Sequence, residues 1–540
     1  MTVPGVPDSR TGLKAPIMKR LLLLFFFLPL AIHAQEKLEE QWYSLLLQGI
    51  TAGFFHQTTW QTDDGGFRSE IEQSMQIRRF GIPFSMIQTD VWIEERDGAL
   101  VSVSSELDMN GQGQRIEASV LEGQLHVRLR RDNEEHEFAL PFSEQPRGLY
   151  SVDREIASVI EGQAGKRELD YRLFSFETMK IEEFSLRILG PGELIDSLGR
   201  AHRGVLVEER SSSLPGVITT EVYDGKAEFL YSKTPVGLEL EILRLEGDPR
   251  GGQAGVATAE PAPGAPPDGD QPKEVAAVFD VASLTVPVEG LEELSVERTE
   301  AVTVVFRGQG VPVLYESVRS AEEDLNSRTG DSPLRIVSVE RNARGEVSEL
   351  VLGLANRSAA DNWGSFQGEP IPPEAAAYLK GGFHLDLDDP RLTQLLDRCS
   401  AAGDSRSTRC LERLVARYIQ NKSLAYGFAG LEEVLSNREG DCTEHALLLV
   451  ALLRKTGIPS RIAYGLIMTE AGFIGHAWVE LYGEGRWHWL DPSFPGGRPY
   501  GLRIRLGVMD PAEPVWASLS LALLQVVGSV EGEILETELR

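Results

Sequence analysis

The chain has 540 residues, of which 42% are hydrophobic and 25% charged, so it is long enough to form several globular domains with their own cores. Its 82 Asp and Glu outnumber its 53 Lys and Arg, which gives a formal net charge of −29. This balance argues against a nucleic-acid-binding protein, because phosphate binding needs a basic surface.

A short apolar stretch near the N-terminus has the layout of an export signal. Lys19 and Arg20 precede the sequence LLLLFFFLPLAIHA, which ends at the small residue Ala34. A basic start, an apolar run and a small final residue are typical of a secretory signal peptide. We therefore predict a signal peptide at residues 1–34, cleavage before Gln35, and export of the mature chain to the periplasm or the medium.

The alternative interpretation of this stretch is a membrane anchor. Pro29 interrupts the run, which is shorter than the roughly 20 residues that a spanning helix needs. No later segment is long and apolar enough either, so we expect no transmembrane helix in the mature chain. Met18 is an alternative start to Met1, since the residues between them have no apolar order.

The part of the chain that follows the signal is typical of antiparallel β structure. From residue 35 to 246, apolar and polar residues alternate in short runs such as LVSVSSEL and LHVRLR. The run GVITTEVYDGKAEFLYS contains Asp224-Gly225, a pair that favours tight hairpin turns. We therefore predict a β-rich N-terminal domain at residues 35–246, which is a candidate for binding an envelope partner.

Composition indicates two further boundaries. Residues 247–274 hold six Gly and six Pro in 28 positions and hardly any large apolar side chain, so they cannot form a core. We predict a linker there. Strand-like alternation then returns, which predicts a smaller β-rich domain at residues 275–372.

From residue 373 onward the pattern changes from strand to helix. Apolar residues recur at spacings of three and four over 408–420, which predicts an amphipathic helix, and a second helix is predicted over 390–399. The residues that carry the first pattern are Leu411, Leu414, Val415, Tyr418 and Ile419.

A third helix begins within the sequence REGDCTEHALLLVALLRKTGIP. Its centre, Ala446 to Leu453, is apolar on every face, which indicates a helix that is buried all round. Gly457 and Pro459 end the helix. Because the β-like segments SRIAYGLIM, GHAWVELY and RWHWLDPSF follow, we predict an α+β domain at residues 373–540, with a tail at its C-terminal end.

Cys442 stands at the start of this third helix. Unpaired backbone N–H groups and the positive end of the helix dipole lie there, so we expect the pKa of its thiol to lie below that of a free cysteine. His476 opens one predicted strand, and Asp491 ends the strand that follows it in a hairpin. Antiparallel pairing would set these two side by side, so that the carboxylate orients an imidazole that serves the thiol. The alternative is that Cys442 is a small apolar core residue.

The number of cysteines favours the reactive interpretation. In an oxidising compartment Cys399 and Cys410, which are eleven residues apart on neighbouring predicted helices, could form a disulfide. Cys442 would then be the odd, free thiol of the chain.

Aromatic residues surround the predicted site in the sequence. Trp478, Trp487 and Trp489 alternate with the site residues and are candidates for the walls of a substrate-binding cleft, with ordinary core aromatics as the alternative. The backbone N–H of Cys442 is the expected oxyanion donor, and Tyr426 is a candidate for a second one.

Three motifs carry a resemblance to a known family. The sequences NREGDCTEHALLLVALLRKTGIPSRIAYGLI, GHAWVELY and WHWLDPSF, in this order and at these spacings, resemble the transglutaminase-like superfamily, in particular its bacterial exported members. The resemblance covers residues 375–510. It implies a papain-like α+β core with Cys442 as nucleophile, His476 as general base and acid, and Asp491 as the orienting group.

These residue types predict a thiol acyl-transfer enzyme acting on a peptide or protein amide. Cys442 attacks the amide carbonyl, His476 protonates the leaving amine, and the resulting thioester is resolved by water or by a primary amine. We favour hydrolysis, by a peptidase or amidase, because the sequence has no D-x-D-x-D-G calcium loop; amine transfer to protein glutamine is the alternative. We expect no cofactor and no metal.

Two interpretations of other classes stay open. Cys442, His445, His476 and His488 could in principle bind zinc, although a Cys-x-x-His spacing is only half of a site. The second is a non-catalytic envelope scaffold, in which the β-rich domains bind a partner and the C-terminal domain is only a fold.

Overall fold

The computed structural model describes the chain from residue 36 to residue 539 with gaps. The described residues are 36–79, 82–131, 134–162, 165, 167–214, 217–235, 239–251, 279, 285–325, 333–356, 370–401, 408–422, 429–494, 502–513, 523 and 525–539. The predicted signal peptide, most of the predicted linker and Tyr426 lie outside the described residues.

The first part of the chain forms one antiparallel sheet of 14 strands. Its elements are β1 (Glu36–Leu47), β2 (Ile50–Gln61), β3 (Phe67–Arg79), β4 (Ile82–Glu94), β5 (Leu100–Met109), β6 (Gln112–Leu121), β7 (Gln124–Arg131), β8 (Glu134–Pro141), helix α1 (Leu149–Ile160), β9 (Glu168–Ser175), β10 (Lys180–Ile195), β11 (Ala201–Ser211), β12 (Thr219–Tyr223), β13 (Phe229–Thr234) and β14 (Leu240–Leu245). The sheet runs from β8 back to β1, crosses to β14, and continues back to β9.

Tight turns explain how so many strands follow one another. Glu122 and Gly123 connect β6 to β7 with φ angles of 51° and 76°, a turn geometry that matches the twist of a hairpin. The sheet is also curved, since Val127 of β7 and Phe174 of β9, near opposite edges, belong to one apolar cluster. The antiparallel β structure predicted for this part of the chain is confirmed.

The rest of the chain forms two five-stranded sheets and the helices that pack on them. The elements are β15 (Thr285–Val286), β16 (Val288–Glu289), β17 (Thr299–Arg307), α2 (Val311–Leu325), β18 (Leu334–Arg341), β19 (Val347–Ala355), α3 (Pro373–Ala376), α4 (Pro390–Ala401), α5 (Thr408–Tyr418), α6 (Leu431–Asn437), α7 (Cys442–Lys455), β20 (Ser460–Thr469), β21 (Gly472–Gly483), β22 (Arg486–Leu490), β23 (Arg503–Met509) and β24 (Glu531–Leu539). One sheet has the order β15-β21-β20-β23 with β22 beside β21, and the other has the order β16-β24-β17-β19-β18.

Helix α7 is the centre of this part of the fold. Every residue from Ala446 to Leu453 is 0% exposed, as the unbroken apolar run predicted. The helix packs on β20 and β21 on one side and on α5 and α6 on the other. Burial of eight consecutive residues fixes the helix firmly, and the residue at its N-terminus with it.

Two elements differ from the sequence-based expectation. Helix α2 lies within the region predicted as β-rich, and its buried residues, among them Val311, Leu314 and Val318, follow helical spacing. The segment predicted as a C-terminal tail forms β24, which pairs with β17 so that Val304 lies opposite Ile534. The sheet built from the predicted smaller β-rich domain is therefore completed by the end of the chain.

The fold as a whole is β-rich, with antiparallel sheets preceding a C-terminal region of helices and strands. In the described part of the chain, no helix has both the length and the apolar character needed to cross a membrane.

Candidate active site

Helix α7 presents Cys442 as its first residue, directly after the capping residue Asp441. The Asp441 carboxylate accepts a hydrogen bond from the backbone N–H of Thr443 at 2.9 Å. In return, the Glu444 carboxylate accepts one from the backbone N–H of Asp441 at 2.8 Å. This reciprocal capping box fixes where the helix starts and therefore where the thiol lies.

Gly440 is required by the close approach of the capping box. Its φ angle is 152°, a backbone conformation that residues other than glycine rarely adopt. A Cβ atom at this position would lie 2.3 Å from the Cβ of Glu444. Glycine before Asp441 and Cys442 therefore lets the Glu444 side chain reach back to the cap.

The hairpin of β21 and β22 brings His476 and Asp491 together. The two strands are antiparallel, with Val479 opposite Leu490, so the start of β21 lies beside the residue that follows β22. His476 Nε2 is 2.8 Å from Asp491 Oδ2, and both side chains are buried. The contact to Asp491 uses Nε2, so the other ring nitrogen of His476, Nδ1, is not the one that binds the carboxylate.

Cys442 lies against the same strand. Its sulfur accepts a hydrogen bond from the backbone N–H of Ala477, the residue after His476. The structure thus brings together the three predicted catalytic residues, which are carried by α7, by β21 and by the end of β22.

The pKa of the Cys442 thiol differs from the sequence-based expectation. Burial raises this pKa well above its ordinary value, the charge of Asp441 raises it further, and the Ala477 N–H opposes both effects. The prediction that the Cys442 thiol has a low pKa is therefore wrong for the site without substrate. Loss of water and the acidic cap of the helix outweigh the helix N-terminus, so the resting thiol is protonated.

Asp491 is held by more than His476. Arg503 Nη2 is 2.8 Å from Asp491 Oδ2, and the backbone N–H of Ser493 donates to Oδ1 at 3.0 Å. Burial alone would raise the pKa of the Asp491 carboxyl, but His476 and Arg503 outweigh burial and hold that pKa well below its ordinary value. The carboxylate therefore stays ionised and can stabilise an imidazolium.

His445 lies one helical turn after Cys442, but its ring points back along the helix. Its Nδ1 is 2.7 Å from the backbone oxygen of Asp441. Burial lowers the pKa of His445, which keeps the ring neutral. His445 is therefore placed to support the first turn of α7.

Of the three tryptophans predicted as cleft walls, two are buried and Trp489 is half-buried. Trp478 is 0% exposed and packs between Trp489 and the guanidinium of Arg503. Trp487 is also buried, with Arg461 3.9 Å above its ring. Trp489 donates from Nε1 to Glu480 at 3.0 Å. These contacts fit the alternative of core aromatics that support the site strands, and Tyr426 lies outside the described residues.

One of the candidate zinc ligands, His488, has a different partner. His488 is buried on β22, where its Nε2 is 3.0 Å from the backbone oxygen of Gly483. Across the described ranges, no group of three or more His, Cys, Asp and Glu side chains is arranged to hold a metal ion.

A disulfide joins Cys399, at the end of α4, to Cys410, at the start of α5, and the Cα atoms of the two residues are 5.9 Å apart. Cys442 is the free cysteine of the chain.

Two residues that contact Asp491 were not identified from the sequence. Arg503 lies on β23, and Glu412 lies on α5, where its Oε1 accepts from the backbone N–H of Asp491 at 3.3 Å. The signal for Arg503 is an arginine in a strand whose neighbours are apolar. The signal for Glu412 is a glutamate on the apolar face of an amphipathic helix. Phe494, whose ring centroid is 5.5 Å from that of His476, gives no comparable signal.

Comparison with known proteins adds three findings. The model of the transglutaminase-like superfamily matches residues 395–492, which include Cys442, His476 and Asp491. No curated protein matches the chain.

Three solved structures show distant likeness. A β-barrel-like protein from Brucella abortus is 12% identical, with a TM-score of 0.29, over 38% of this chain and 93% of that protein. A candidate cysteine protease from Cytophaga hutchinsonii is 13% identical, with a TM-score of 0.24, over 45% of this chain and 86% of that protein. A candidate protease from Parabacteroides distasonis is 12% identical, with a TM-score of 0.18, over 75% of this chain and 70% of that protein.

These likenesses to solved structures are too low to carry a conclusion, so the assignment depends on the family match and on the motifs that agree with it. Residues 395–492 of this chain form a domain of the transglutaminase-like superfamily.

Proposed function

We propose that this protein is a cysteine peptidase or amidase that cleaves peptide or side-chain amide bonds through a thioester on Cys442. One observation carries the proposal. The Cys442 sulfur lies against the backbone of Ala477, next to His476, and His476 is 2.8 Å from an ionised Asp491. Nucleophile, base and orienting group therefore form one site in a core that we propose to be papain-like.

The proton of Cys442 has a definite route. Asp491 binds Nε2 of His476, so the thiol proton passes to Nδ1 as the sulfur attacks the amide carbonyl carbon. The new S–C bond pushes the carbonyl electrons onto oxygen, and the backbone N–H of Cys442, at the N-terminus of α7, is placed to donate to that oxyanion. Asp491 stabilises the imidazolium that forms.

Collapse of this intermediate breaks the C–N bond. The imidazolium of His476 returns its proton to the leaving amine, and a thioester on Cys442 remains. Water then attacks the thioester while His476 accepts one of its protons, and the S–C bond breaks to give a carboxylic acid and a free thiol. A primary amine in place of water would give amine transfer.

The raised pKa of the Cys442 thiol suits this order of events. A protonated thiol avoids an unpaired thiolate in a buried site, which would be costly. The proton then passes from Cys442 to His476 when the substrate is bound. At that point the oxyanion donor stabilises the charge on the substrate oxygen, and Asp491 stabilises the imidazolium.

Intact-mass analysis tests this function. Purified protein is mixed with casein peptides as the amide source and quenched in acid at short times. We expect an adduct on Cys442 that decays in buffer with release of a free acid, and no adduct with Cys442→Ala. Decay that requires an added primary amine would assign the enzyme to amine transfer, and absence of any adduct would contradict acyl transfer.

We also propose that the protein is exported to the periplasm or secreted. The layout of residues 1–34 and the pairing of Cys399 with Cys410 support this location. N-terminal sequencing of the protein from cell fractions is the test. A chain in the exported fraction that begins at Gln35 is the expected result, and an unprocessed chain in the cytosol would contradict it.

A further inference from the structure

Glu412 is a buried carboxyl that the mechanism above does not use. It lies on α5 and is 3% exposed. The other buried residues of this helix are Thr408, Leu411, Val415 and Tyr418, so Glu412 is the charged one among them. Burying a carboxyl costs free energy unless a specific partner compensates it, which calls for an explanation of its position.

The partner of Glu412 is the backbone of Asp491. Glu412 Oε1 accepts a hydrogen bond from the Asp491 N–H at 3.3 Å. Strand β22 ends at Leu490, whose opposite residue is Val479, so this N–H lies beyond the last residue pair of the ladder. The Asp491 carbonyl accepts from the N–H of Phe494 at 3.2 Å, so Glu412 is the partner of the other backbone group of this residue, its N–H.

We propose that Glu412 is a positioning residue for Asp491 and that it acts together with Arg503. Glu412 holds the backbone of Asp491 from α5, while Arg503 holds its carboxylate from β23 at 2.8 Å. Two elements on different sides of the site thus fix one residue. The proposal depends on the proposed function only in that His476 must serve Cys442.

The charges around Glu412 fit this role. Asp491, Arg503 and Arg409 face it, and Arg503 lies close to both carboxyls. Burial raises the pKa of Glu412 to about 7, so near neutral pH it is partly protonated and repels the Asp491 carboxylate less than an ordinary glutamate would. Either protonation state keeps an oxygen available to accept from the Asp491 N–H.

Loss of the hydrogen bond between the Asp491 N–H and Glu412 should lower kcat more than it changes KM. Small displacements of a catalytic group cost rate because the imidazole must point at the thiol. We expect Glu412→Ala to lower kcat by about tenfold, which corresponds to roughly 1.4 kcal/mol, with little change in KM. Glu412→Gln keeps an accepting oxygen and should retain kcat within about threefold of the parent.

The experiment uses the full-length chain with two readouts. The first is the rate of Cys442 alkylation by iodoacetamide between pH 5 and 9, a range that spans the ordinary pKa values of imidazole and thiol. The second is turnover of fluorescein-labelled casein. Asp491→Asn serves as the reference for a misplaced imidazole. Glu241→Gln serves as the matched control, because Glu241 is also a buried carboxyl but lies on β14 in the first sheet.

We expect the alkylation profile of Glu412→Ala to shift toward that of Asp491→Asn, while those of Glu412→Gln and Glu241→Gln follow the parent. A parental profile and parental kcat for a folded Glu412→Ala would overturn the proposal. So would equal losses in Glu412→Ala and Glu412→Gln. If no variant turns over casein, the alkylation profiles still decide the role of Glu412, whereas the acyl-transfer function is decided by the adduct on Cys442.

Discussion

Asp491 and His445 both belong to the surroundings of Cys442, but they have different partners. Asp491 binds His476 at 2.8 Å, whereas His445 binds the backbone oxygen of Asp441 at 2.7 Å. A carboxylate on the imidazole sets its tautomer and stabilises its charge, and a histidine bonded to its own helix does neither. We therefore expect substitutions of the two residues to differ strongly in their effect on kcat.

We expect Asp491→Asn to lower kcat by roughly a hundredfold or more without unfolding the protein, since the amide cannot stabilise the imidazolium. His445→Gln should cost much less, because it only weakens the first turn of α7. Casein turnover of both variants, with and without a chelator, is the measurement. If His445→Gln and the chelator abolish activity while Asp491→Asn is tolerated, zinc ligation is the better description.

The buried carboxyl of Glu412 should make stability depend on pH. Its pKa is raised from an ordinary 4.5 to about 7 by burial, so the folded state keeps a proton that the unfolded state releases. The stabilising contribution is complete below pH 4.5 and is lost as the pH rises through about 7.

We expect the free energy of unfolding of the parent to fall, relative to Glu412→Gln, by about 3 kcal/mol between those two limits. Urea unfolding of both proteins across this pH range measures the difference. A difference that does not change with pH would show that Glu412 titrates normally.

At the scale of elements, helices α4 and α5 are joined by the disulfide between Cys399 and Cys410. The link lies two residues before Glu412, on the helix whose position the site needs. A disulfide that closes a loop of this length stabilises a protein by roughly 2–3 kcal/mol in the chain-entropy model. The bond should therefore matter both for stability and for the placement of Glu412.

Thiol counting on the unfolded, unreduced protein is expected to find one free thiol, that of Cys442. The variant Cys399→Ser/Cys410→Ser should unfold at a lower temperature and should lose part of its kcat below that temperature. Three free thiols in the parent would show that the bond does not form, and a variant with parental kcat would show that α5 holds Glu412 without it.

At the scale of the whole molecule, the first sheet is docked on the C-terminal region. Phe383 precedes α4, yet it packs in the apolar cluster of the first sheet, with its ring 3.9 Å from that of His136. Beside it, Gln112 and Arg131 of the first sheet contact Glu433 of α6 at 3.0 Å and 3.5 Å. Helix α6 leads directly to the cap of α7, so this contact lies close to the site in the chain.

This docking predicts that cutting the predicted linker will not separate the two parts. With a protease site inserted at residue 262, the cleaved protein should elute as one species in size-exclusion chromatography. Phe383→Ala removes a buried ring and should cost about 3–5 kcal/mol, so its cleaved form should separate at a lower urea concentration. Phe138→Ala is the matched control, because Phe138 borders the same cluster but lies on β8 of the first sheet. Separation of the cleaved parent without urea would contradict the docking.

Local patterns in the sequence were enough for several elements of the fold. Helical spacing identified α5, an unbroken apolar run identified α7, and strict alternation identified hairpins such as β6 and β7. The motifs that contain Cys442, His476 and Asp491 could be recognised in the sequence as well, and the matched family region covers them. Each of these signals comes from residues close together in the chain, where side-chain periodicity reports directly on the backbone.

Other features depend on residues that are far apart in the sequence. Three contacts join distant segments. They are the pairing of β24 with β17, the contacts of Asp491 with Glu412 and Arg503, and the packing of Phe383 on the first sheet. The pKa of Cys442 belongs to the same group. The sequence shows the helix N-terminus that would lower this pKa, but how much water is lost around the thiol is fixed only when the strands and helices close around it, and burial then outweighs the helix.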